Sequence, residues 1–544
     1  MTFFLANNPH LYIAIAISVL NGIFLCFVGY KFLHILQLSN YKINGYLAWI
    51  KDTKGNYISR VFMLSLLSFG AMMVLNVLFS SYSTSGYYNY LGIIFYFYFS
   101  YVFTQALYTA PKKTPLKNTH RMNRLTVFSG LLVAGITFVL IFIFTEYVSI
   151  VNISIISITP LLLPIIMPFA NFILEPFENL NQLGYVIKAK KKLKEFPNLV
   201  VIGITGSYGK TTTKNILNSM LSEKYNVLAT PLSFNTPMGL SKTINDMLDK
   251  NHEIFIAEMG ARNLKDIKFL CNFVKPDIGI VTSVGSQHLR TFKTLDNIKK
   301  AKYELVEGVS KDGMVVFNGE NEICREFYNK CDKLKYISYL ADPSGDIYAK
   351  NIKLSTSTLD FTICYNGKEV DCSTKLLGIH NLQNILVSAL TALKLEVSLE
   401  QIASAINKLQ PVKHRLEIVP SENDVTVIDD TYNASVESTK SALEFLSMFE
   451  GRKIVITPGI VEMGNEEYKV NYEFAKNLAK VADIVFIINK TNQEAIKYGL
   501  TQNGFSGKNI YEFYSLQEAQ FKLKDFLQKG DVVLFENDLP DNYT

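Results

Sequence analysis

Eleven consecutive residues, Gly203-Ile-Thr-Gly-Ser-Tyr-Gly-Lys-Thr-Thr-Thr213, have the types and spacing to hold a phosphate. Glycines let backbone amides turn inward around phosphate oxygens, and the start of a following helix adds a favourable dipole. Lys210 would reach the outer phosphates, and the Thr211 hydroxyl would hold Mg²⁺. The outer position of the usual G-x-x-x-x-G-K-[ST] spacing is Ile204 here, with the glycine one residue earlier. Two further stretches place polar groups where a phosphate-bound cation would need them. Ile256-Ala-Glu-Met-Gly-Ala-Arg262 ends an apolar run on Glu258, and Thr282-Ser-Val-Gly-Ser-Gln-His-Leu289 follows another with His288. A carboxylate and an imidazole at neighbouring strand ends suit one or two hard cations beside Thr211. Lys302 falls on the helical stretch after them.

Such groups need strands to carry them. Short apolar runs at Leu199–Ile204, Ile254–Ala257, Ile278–Thr282, Met314–Phe317, Val425–Ile428, Ile454–Thr457, Ile484–Ile488 and Val532–Phe535 alternate with amphipathic segments. That alternation predicts α/β folding with largely parallel sheets, whose ligands gather at the carboxyl ends of the strands. An irregular polar stretch, Pro411–Arg415, divides the pattern into two domains, 198–412 and 413–544. No internal repeat is present.

The first third differs. Hydrophobic residues make up 49% of the 544-residue chain and charged ones 19%, which excludes disorder and a coiled coil. Residues 1–175 hold ten Lys/Arg and three Asp/Glu, a net +7 in a chain of +6. Five apolar runs, Leu11–Tyr30, Val61–Ser81, Tyr90–Leu107, Leu125–Thr145 and Val148–Leu174, approach the length that crosses a bilayer. The first lacks the features of a signal peptide. Lys and Arg concentrate in 31–60 and 111–124 and are missing from the alternate connections, which predicts an external N-terminus and two cytoplasmic loops. The expectation is a helical membrane domain at 1–175, multi-pass in the cell membrane, with everything after it cytoplasmic. Pro160, Pro164 and Pro168 should kink or break the fifth run. Asn152 and Asn171 are polar groups within it. Residues 176–197, with Lys188, Lys190, Lys191, Lys192 and Lys194, read as a basic amphipathic connector along an anionic leaflet. Six scattered cysteines form no C-x-x-C pair, so neither a zinc site nor a disulfide framework is expected.

Residues 198–544 resemble the Mur ligase family, ATP-dependent ligases of peptidoglycan synthesis, and most closely its D-alanyl-D-alanine-adding branch. The resemblance rests on six ordered motifs: Thr205-Gly-Ser-Tyr-Gly-Lys-Thr-Thr212, Ser233-Phe-Asn-Thr-Pro-Met-Gly239, Glu258-Met-Gly-Ala261, His288-Leu289 with Ala301-Lys302, Gly378-Ile-His-Asn-Leu-Gln-Asn384 and Asp429-Asp-Thr-Tyr-Asn433. It implies a central ATPase domain followed by a Rossmann-like domain. Carried over by position, it implies that Thr205, Gly206, Ser207, Tyr208, Gly209, Lys210, Thr211 and Thr212 cradle ATP. Asn381 or Asn384 would meet adenine, Asp430 the ribose, and Arg415 would cross from the domain boundary to the nucleotide. Thr211, Glu258, His288 and Lys302 would serve the metal, Lys302 as a carbamylated lysine. Lys210, Lys302, His288 and Arg415 would be the catalytic set, and Asn433 would face the cleft. Three features depart from the family. Ser435-Val436 replaces an Asn-Pro, the chain ends without the usual Lys-Gly-Ser tail, and the small uridine-nucleotide-holding domain gives way to apolar segments.

The function expected from this is a membrane-bound, ATP-dependent amide ligase. It would activate an acceptor carboxylate as an acyl phosphate and join it to an amino acid or other amine. The expected acceptor is a lipid-linked cell-envelope glycan or peptidoglycan-type precursor, with an envelope-synthesis membrane protein as a further partner and no role for nucleic acid. One alternative is a UDP-N-acetylmuramoyl-tripeptide–D-alanyl-D-alanine ligase carrying a membrane anchor. Another is a transporter or regulator powered by the phosphate loop, which would leave Glu258, His288 and Lys302 without a purpose.

Overall fold

The computed structural model describes residues 9–52, 62–63, 66–67, 69–70, 74, 116–143, 159–411, 413–421, 424–432 and 434–537. The chain forms two compact units, one ending at Asn181 and one running Gln182–Leu539.

The first unit is helical: α1 (Pro9–Val28), α2 (Tyr30–Leu38), α3 (Ile43–Asp52), α4 (His120–Ile143) and α5 (Leu163–Leu193), the last continuing beyond the unit's boundary. Glycine meeting glycine brings α1 against α4. A Cβ on Gly22 would lie 2.5 Å from the Gly130 carbonyl oxygen. Buried Asn21 donates to the hydroxyls of Thr137 and Thr159, each at 3.0 Å. Pro160 lies in a 3₁₀ turn, Thr159–Leu162, and Pro164 sits in the first turn of α5, where its missing amide costs nothing. Pro168 leaves the Pro164 carbonyl without its helical donor, and the Tyr46 hydroxyl fills that place at 2.9 Å. The Asn171 amide is taken by the Tyr41 carbonyl at 2.9 Å, so packing accounts for it.

The five-span expectation is corrected here. Among the described residues two helices, His120–Ile143 and Thr159–Leu193, are long and apolar enough to cross a bilayer. A third counts only if α1 and α2, bent by 52°, are taken as one. The bend falls at Gly29, at the end of the expected Leu11–Tyr30 run, where α1 meets α2. Of the remaining expected runs, Tyr90–Leu107 lies outside the described residues, as does Val61–Ser81 but for scattered positions. Asn152 also lies outside them.

The second unit holds two large sheets. In the first, β1 (Val200–Thr205), β2 (Val227–Ala229), β3 (Ile254–Glu258), β4 (Ile278–Val281), β5 (Met314–Asn318) and β6 (Leu334–Ser338) are all parallel, in the order β2-β3-β1-β4-β5-β6. Helices α6 (Lys210–Leu221), α7 (Pro237–Met247), α8 (Asp266–Val274), α9 (Leu295–Gly308), α10 (Glu322–Lys330), α11 (Ile379–Lys394) and α12 (Leu399–Lys408) cover both faces. Ile202, Ile204, Ile256 and Ile280 pack under α6, α11 and α12. Val201, Phe255, Val281 and Val315 pack under α7, α8 and α9. Burial on both faces is why these strands read as unbroken apolar runs. A small antiparallel sheet, β7 (Tyr348–Leu354), β8 (Leu359–Tyr365) and β9 (Lys368–Thr374), joins the first core.

The second large sheet follows Pro411–Arg415. It comprises β10 (Glu417–Val419), β11 (Thr426–Asp430), β12 (Lys453–Thr457), β13 (Ile484–Ile488), β14 (Ile510–Phe513) and β15 (Val532–Glu536), in the order β10-β11-β15-β12-β13-β14. Only β10 runs antiparallel to its neighbour. The α/β class and every strand expected from the sequence are present. The short strands β2, β6, β10 and β14 and the whole β7–β9 sheet are additions.

Candidate functional site

The phosphate loop leaves β1 at Thr205 and enters α6 at Lys210. Gly209 takes a left-handed φ of 79°, and a Cβ there would meet the Asn384 side-chain oxygen at 2.5 Å. Thr205 ties the loop to the turn after β3 through the Met259 carbonyl, at 3.1 Å. Ser207 ties it to the turn after β4 through the Gly285 carbonyl, at 3.0 Å. The Tyr208 carbonyl accepts from the Thr282 hydroxyl, and Thr212 is buried beneath. Lys210 folds back over the loop and donates to the carbonyls of Gly206 and Ser207 at 2.7 and 2.9 Å. Burial lowers its pKa to about 8, against the pull of Glu258 and with the repulsion of Arg415.

Glu258 ends β3 fully buried, with both oxygens engaged. The Thr211 hydroxyl and the Lys214 ammonium donate to one, each at 3.0 Å, and the Asn235 amide donates to the other at 3.0 Å. Lys214 and Asn235 were not singled out from the sequence as site residues. The only signal for Lys214 is a lysine one turn beyond Lys210 on a helix whose neighbouring positions are buried. Lys214 also donates to the Leu232 carbonyl. The pair is buried on both sides, so each charge depends on the other.

His288 turns instead toward the second large sheet. Its backbone is left-handed (φ 59°), and its Nδ1 lies 2.5 Å from a Glu462 oxygen in the turn after β12. Glu462, His414 and Leu416 also have positive φ, at 67°, 64° and 49°. Non-glycine residues adopt that conformation only at a local cost. Lys302, on α9, is almost fully buried, and its pKa falls well below the ordinary lysine value because of burial and then Lys210.

Arg415 lies 4.3 Å over the Tyr432 ring, and the Tyr432 hydroxyl meets Ser233 Oγ at 2.7 Å. The ring thus joins the two domains. Asn384 accepts from the Thr213 hydroxyl at 3.1 Å and so braces the phosphate-loop helix. Asn381 donates to the Leu377 carbonyl at 2.5 Å. His380 precedes Asn381 on α11, and its buried Nδ1 has no hydrogen-bond partner among the described residues. Burial, then Arg415, lowers its pKa to about 4, so it is neutral at pH 7. Asp430 accepts from the Leu416 amide at 3.1 Å, and burial raises its pKa to about 6 despite that bond and Arg415. Asn433 lies outside the described residues.

Among the described residues no cluster of three or more His, Cys, Asp or Glu could hold a metal. The residues nonetheless fit Mg²⁺ bound with a nucleotide. Thr211 Oγ1 and Glu258 Oε2, 3.0 Å apart beside the loop, offer hard oxygen donors. Mg²⁺ commonly takes one or two protein oxygens and completes its shell with phosphate oxygens and water.

A phosphate loop on one parallel sheet and an arginine reaching it from a second such sheet define a two-domain, nucleotide-dependent enzyme. Comparison with known proteins narrows that class. Residues 204–392 match the family described as Mur ligase middle domain, and 414–536 that described as Mur ligase, glutamate ligase domain. A UDP-N-acetylmuramoyl-tripeptide–D-alanyl-D-alanine ligase of Synechocystis is 30% identical over 342 residues, 62% of this chain and 71% of that one. A ligase of the same name from Buchnera aphidicola is 29% identical over 343 residues, 63% and 72% of the two chains. Among solved structures, MurF from Acinetobacter baumannii superposes with a TM-score of 0.60 at 25% identity, over 65% and 77% of the two chains. MurF from Thermotoga maritima in complex with ADP gives 0.58 at 26%, over 66% and 80%. The chain belongs to the Mur ligase family and is an ATP-dependent carbon–nitrogen ligase; enzymes of this family use ATP and Mg²⁺.

These findings also overturn the expected multi-pass localisation in the cell membrane. Among the described residues two helices, or three if the bent pair is one span, are long and apolar enough to cross a bilayer, and the similar enzymes are ligases named for a uridine-nucleotide-linked peptide.

Proposed function

We propose that the chain joins D-alanyl-D-alanine, or a closely similar amine, to the terminal carboxylate of a UDP-N-acetylmuramoyl-tripeptide. The observation that carries this reading is the Thr211–Glu258–Lys214 cluster beside Lys210, in a chain whose similar enzymes bear that activity in their names. The lipid-linked acceptor expected from the sequence has no support in those names.

A carboxylate resists attack by an amine because its charge is delocalised. Phosphorylation supplies a leaving group. Lys210 and the loop amides would hold the phosphates and stabilise charge on the transferring group. Thr211 and Glu258 would hold Mg²⁺, which neutralises charge between the outer phosphates. Lys214 pairs with Glu258 at 3.0 Å and keeps it aimed. Arg415, held over Tyr432, would contact the nucleotide from the far side, with Asp430 at the ribose and Asn381 near adenine. Closure of the two domains would exclude the water that hydrolyses an acyl phosphate. Burial, and then Lys210, lower the pKa of Lys302 well below the ordinary lysine value, which favours the amine form that adds CO₂, and its carbamate would place an anion near Lys210. Lys302→Ala should then lose turnover, and short-chain carboxylates should restore part of it; unaltered turnover would reject that role.

The test is ADP formation by the purified full chain given ATP, Mg²⁺, UDP-N-acetylmuramoyl-tripeptide and D-alanyl-D-alanine. Steady-state ADP should require both the acceptor and the dipeptide. Equal ADP release without either would overturn the proposal.

A further inference from the structure

Glu536 is the last residue of β15, at the carboxyl edge of the second large sheet. It is fully buried, and neither of its carboxyl oxygens has a hydrogen-bond partner among the described residues. Its parallel neighbour in register is Asp430, so the two side chains leave the same face of the sheet. Nearby polar groups are spent elsewhere. Asn537 donates to the Gly459 carbonyl at 2.6 Å and accepts from the Ala434 amide at 3.3 Å. His414 is held by Asp429 at 2.8 Å. Among the described residues the carboxyl group therefore has no donor.

The wider arrangement gives this orphan a direction. Lys302 lies within electrostatic range of Lys210, Lys210 of Arg415, Arg415 of Asp430, and Asp430 of Glu536. One end of the row is cationic and sits at the phosphate loop. The other carries the two carboxyl groups and sits at the strand ends of the second sheet. Amide formation brings together two groups of matching polarity, an anionic acyl phosphate and an amine that arrives from water as an ammonium ion.

Resting on the function proposed above, we propose that Glu536 is the amine subsite of the ligase: its carboxyl group binds the incoming ammonium and keeps the proton that the nitrogen sheds before attack. In this step the N–H bond of R–NH₃⁺ breaks and its proton joins the Glu536 carboxylate. The free amine then forms the C–N bond at the acyl carbon, and the C–O bond to phosphate breaks. The amine's second proton leaves with the phosphate as HPO₄²⁻. Burial favours the neutral pairing of amine and carboxylic acid over the ion pair, and that pairing is the nucleophilic one. In agreement, burial, and after it Asp430, raises the pKa of Glu536 well above the ordinary carboxylate value.

The test compares wild type with Glu536→Gln, of equal shape, and Glu536→Asp, which keeps the acid. The probes are D-alanyl-D-alanine and its N-acetyl form. A single turnover with ATP and UDP-N-acetylmuramoyl-tripeptide but no amine reports folding and acyl-phosphate formation. Glu536→Gln should form ADP normally in that turnover, while KM for the dipeptide rises at least about tenfold and kcat falls; Glu536→Asp should recover part of both. Calorimetry should show the same loss of dipeptide binding and no binding of the N-acetyl form to wild type. Dipeptide KM, kcat and affinity within about twofold of wild type in Glu536→Gln would overturn the proposal. A wild type that makes no ADP with this acceptor counts against the proposed function alone, and dipeptide binding to the two proteins still decides Glu536.

Discussion

Each of the two large sheets ends a strand on a buried glutamate, and the two are treated in opposite ways. Glu258, on the phosphate-loop sheet, receives Thr211, Lys214 and Asn235 on its two oxygens. Glu536, on the second sheet, receives nothing. The first is paired with a buried cation and presents an oxygen beside Thr211, where Mg²⁺ would bind. Burial and Asp430 raise the pKa of the second, so that its carboxylate, once it has taken a proton from an amine, keeps it. One residue type serves two purposes, and the neighbours select which.

Several changes would sharpen or break this contrast. The largest effect should come from Lys210→Ala, which removes the cation at the phosphates. Turnover should fall by at least about a hundredfold to a thousandfold, with both domains still folded. Activity close to wild type would remove the loop from the chemistry and leave Glu258 without its purpose. Lys214→Ala should come next. It strands a buried carboxylate, which costs about 3–5 kcal/mol of stability. A drop in thermal midpoint with near-normal stability in Lys214→Ala/Glu258→Gln would show that the pair, not either residue alone, is what the fold requires. An unchanged midpoint in the single variant would break the contrast at its anionic end. The smallest effect concerns pH. Lys210 has a pKa of about 8 in the folded chain, so its ammonium is mostly present at pH 7 and mostly lost at pH 9. ADP affinity should therefore weaken as pH rises through 8, by at most about tenfold per unit. Lys210→Arg, charged throughout, should flatten that slope; an equal slope in both proteins would assign it elsewhere.

The sequence discloses these two sites unequally. Lys210, Thr211 and Glu258 announce themselves, because glycine spacing and a carboxylate closing an apolar run are local patterns. The strands that carry them are equally plain, since sheets covered on both faces need continuous apolar runs. Lys214 and Glu536 are ordinary residues in a helix and a strand. Their meaning comes from burial and from partners far along the chain, which spacing does not encode. The β7–β9 sheet went unread although Asn366-Gly367, both at positive φ (48° and 73°), forms the two-residue turn that marks a hairpin. In the helical unit, hydropathy registered apolar length, and among the described residues two helices, or three with the bent α1–α2 pair as one, are long and apolar enough to span.

The central claim is that this ligase activates a carboxylate by phosphorylation before an amine attacks. Isotope transfer tests it most directly. UDP-N-acetylmuramoyl-tripeptide with ¹⁸O in its terminal carboxylate is turned over with ATP and D-alanyl-D-alanine, and the released phosphate is weighed by mass spectrometry. An acyl phosphate predicts that one ¹⁸O per turnover leaves in inorganic phosphate. Unlabelled phosphate, with the label in AMP or wholly retained in the peptide product, would contradict it.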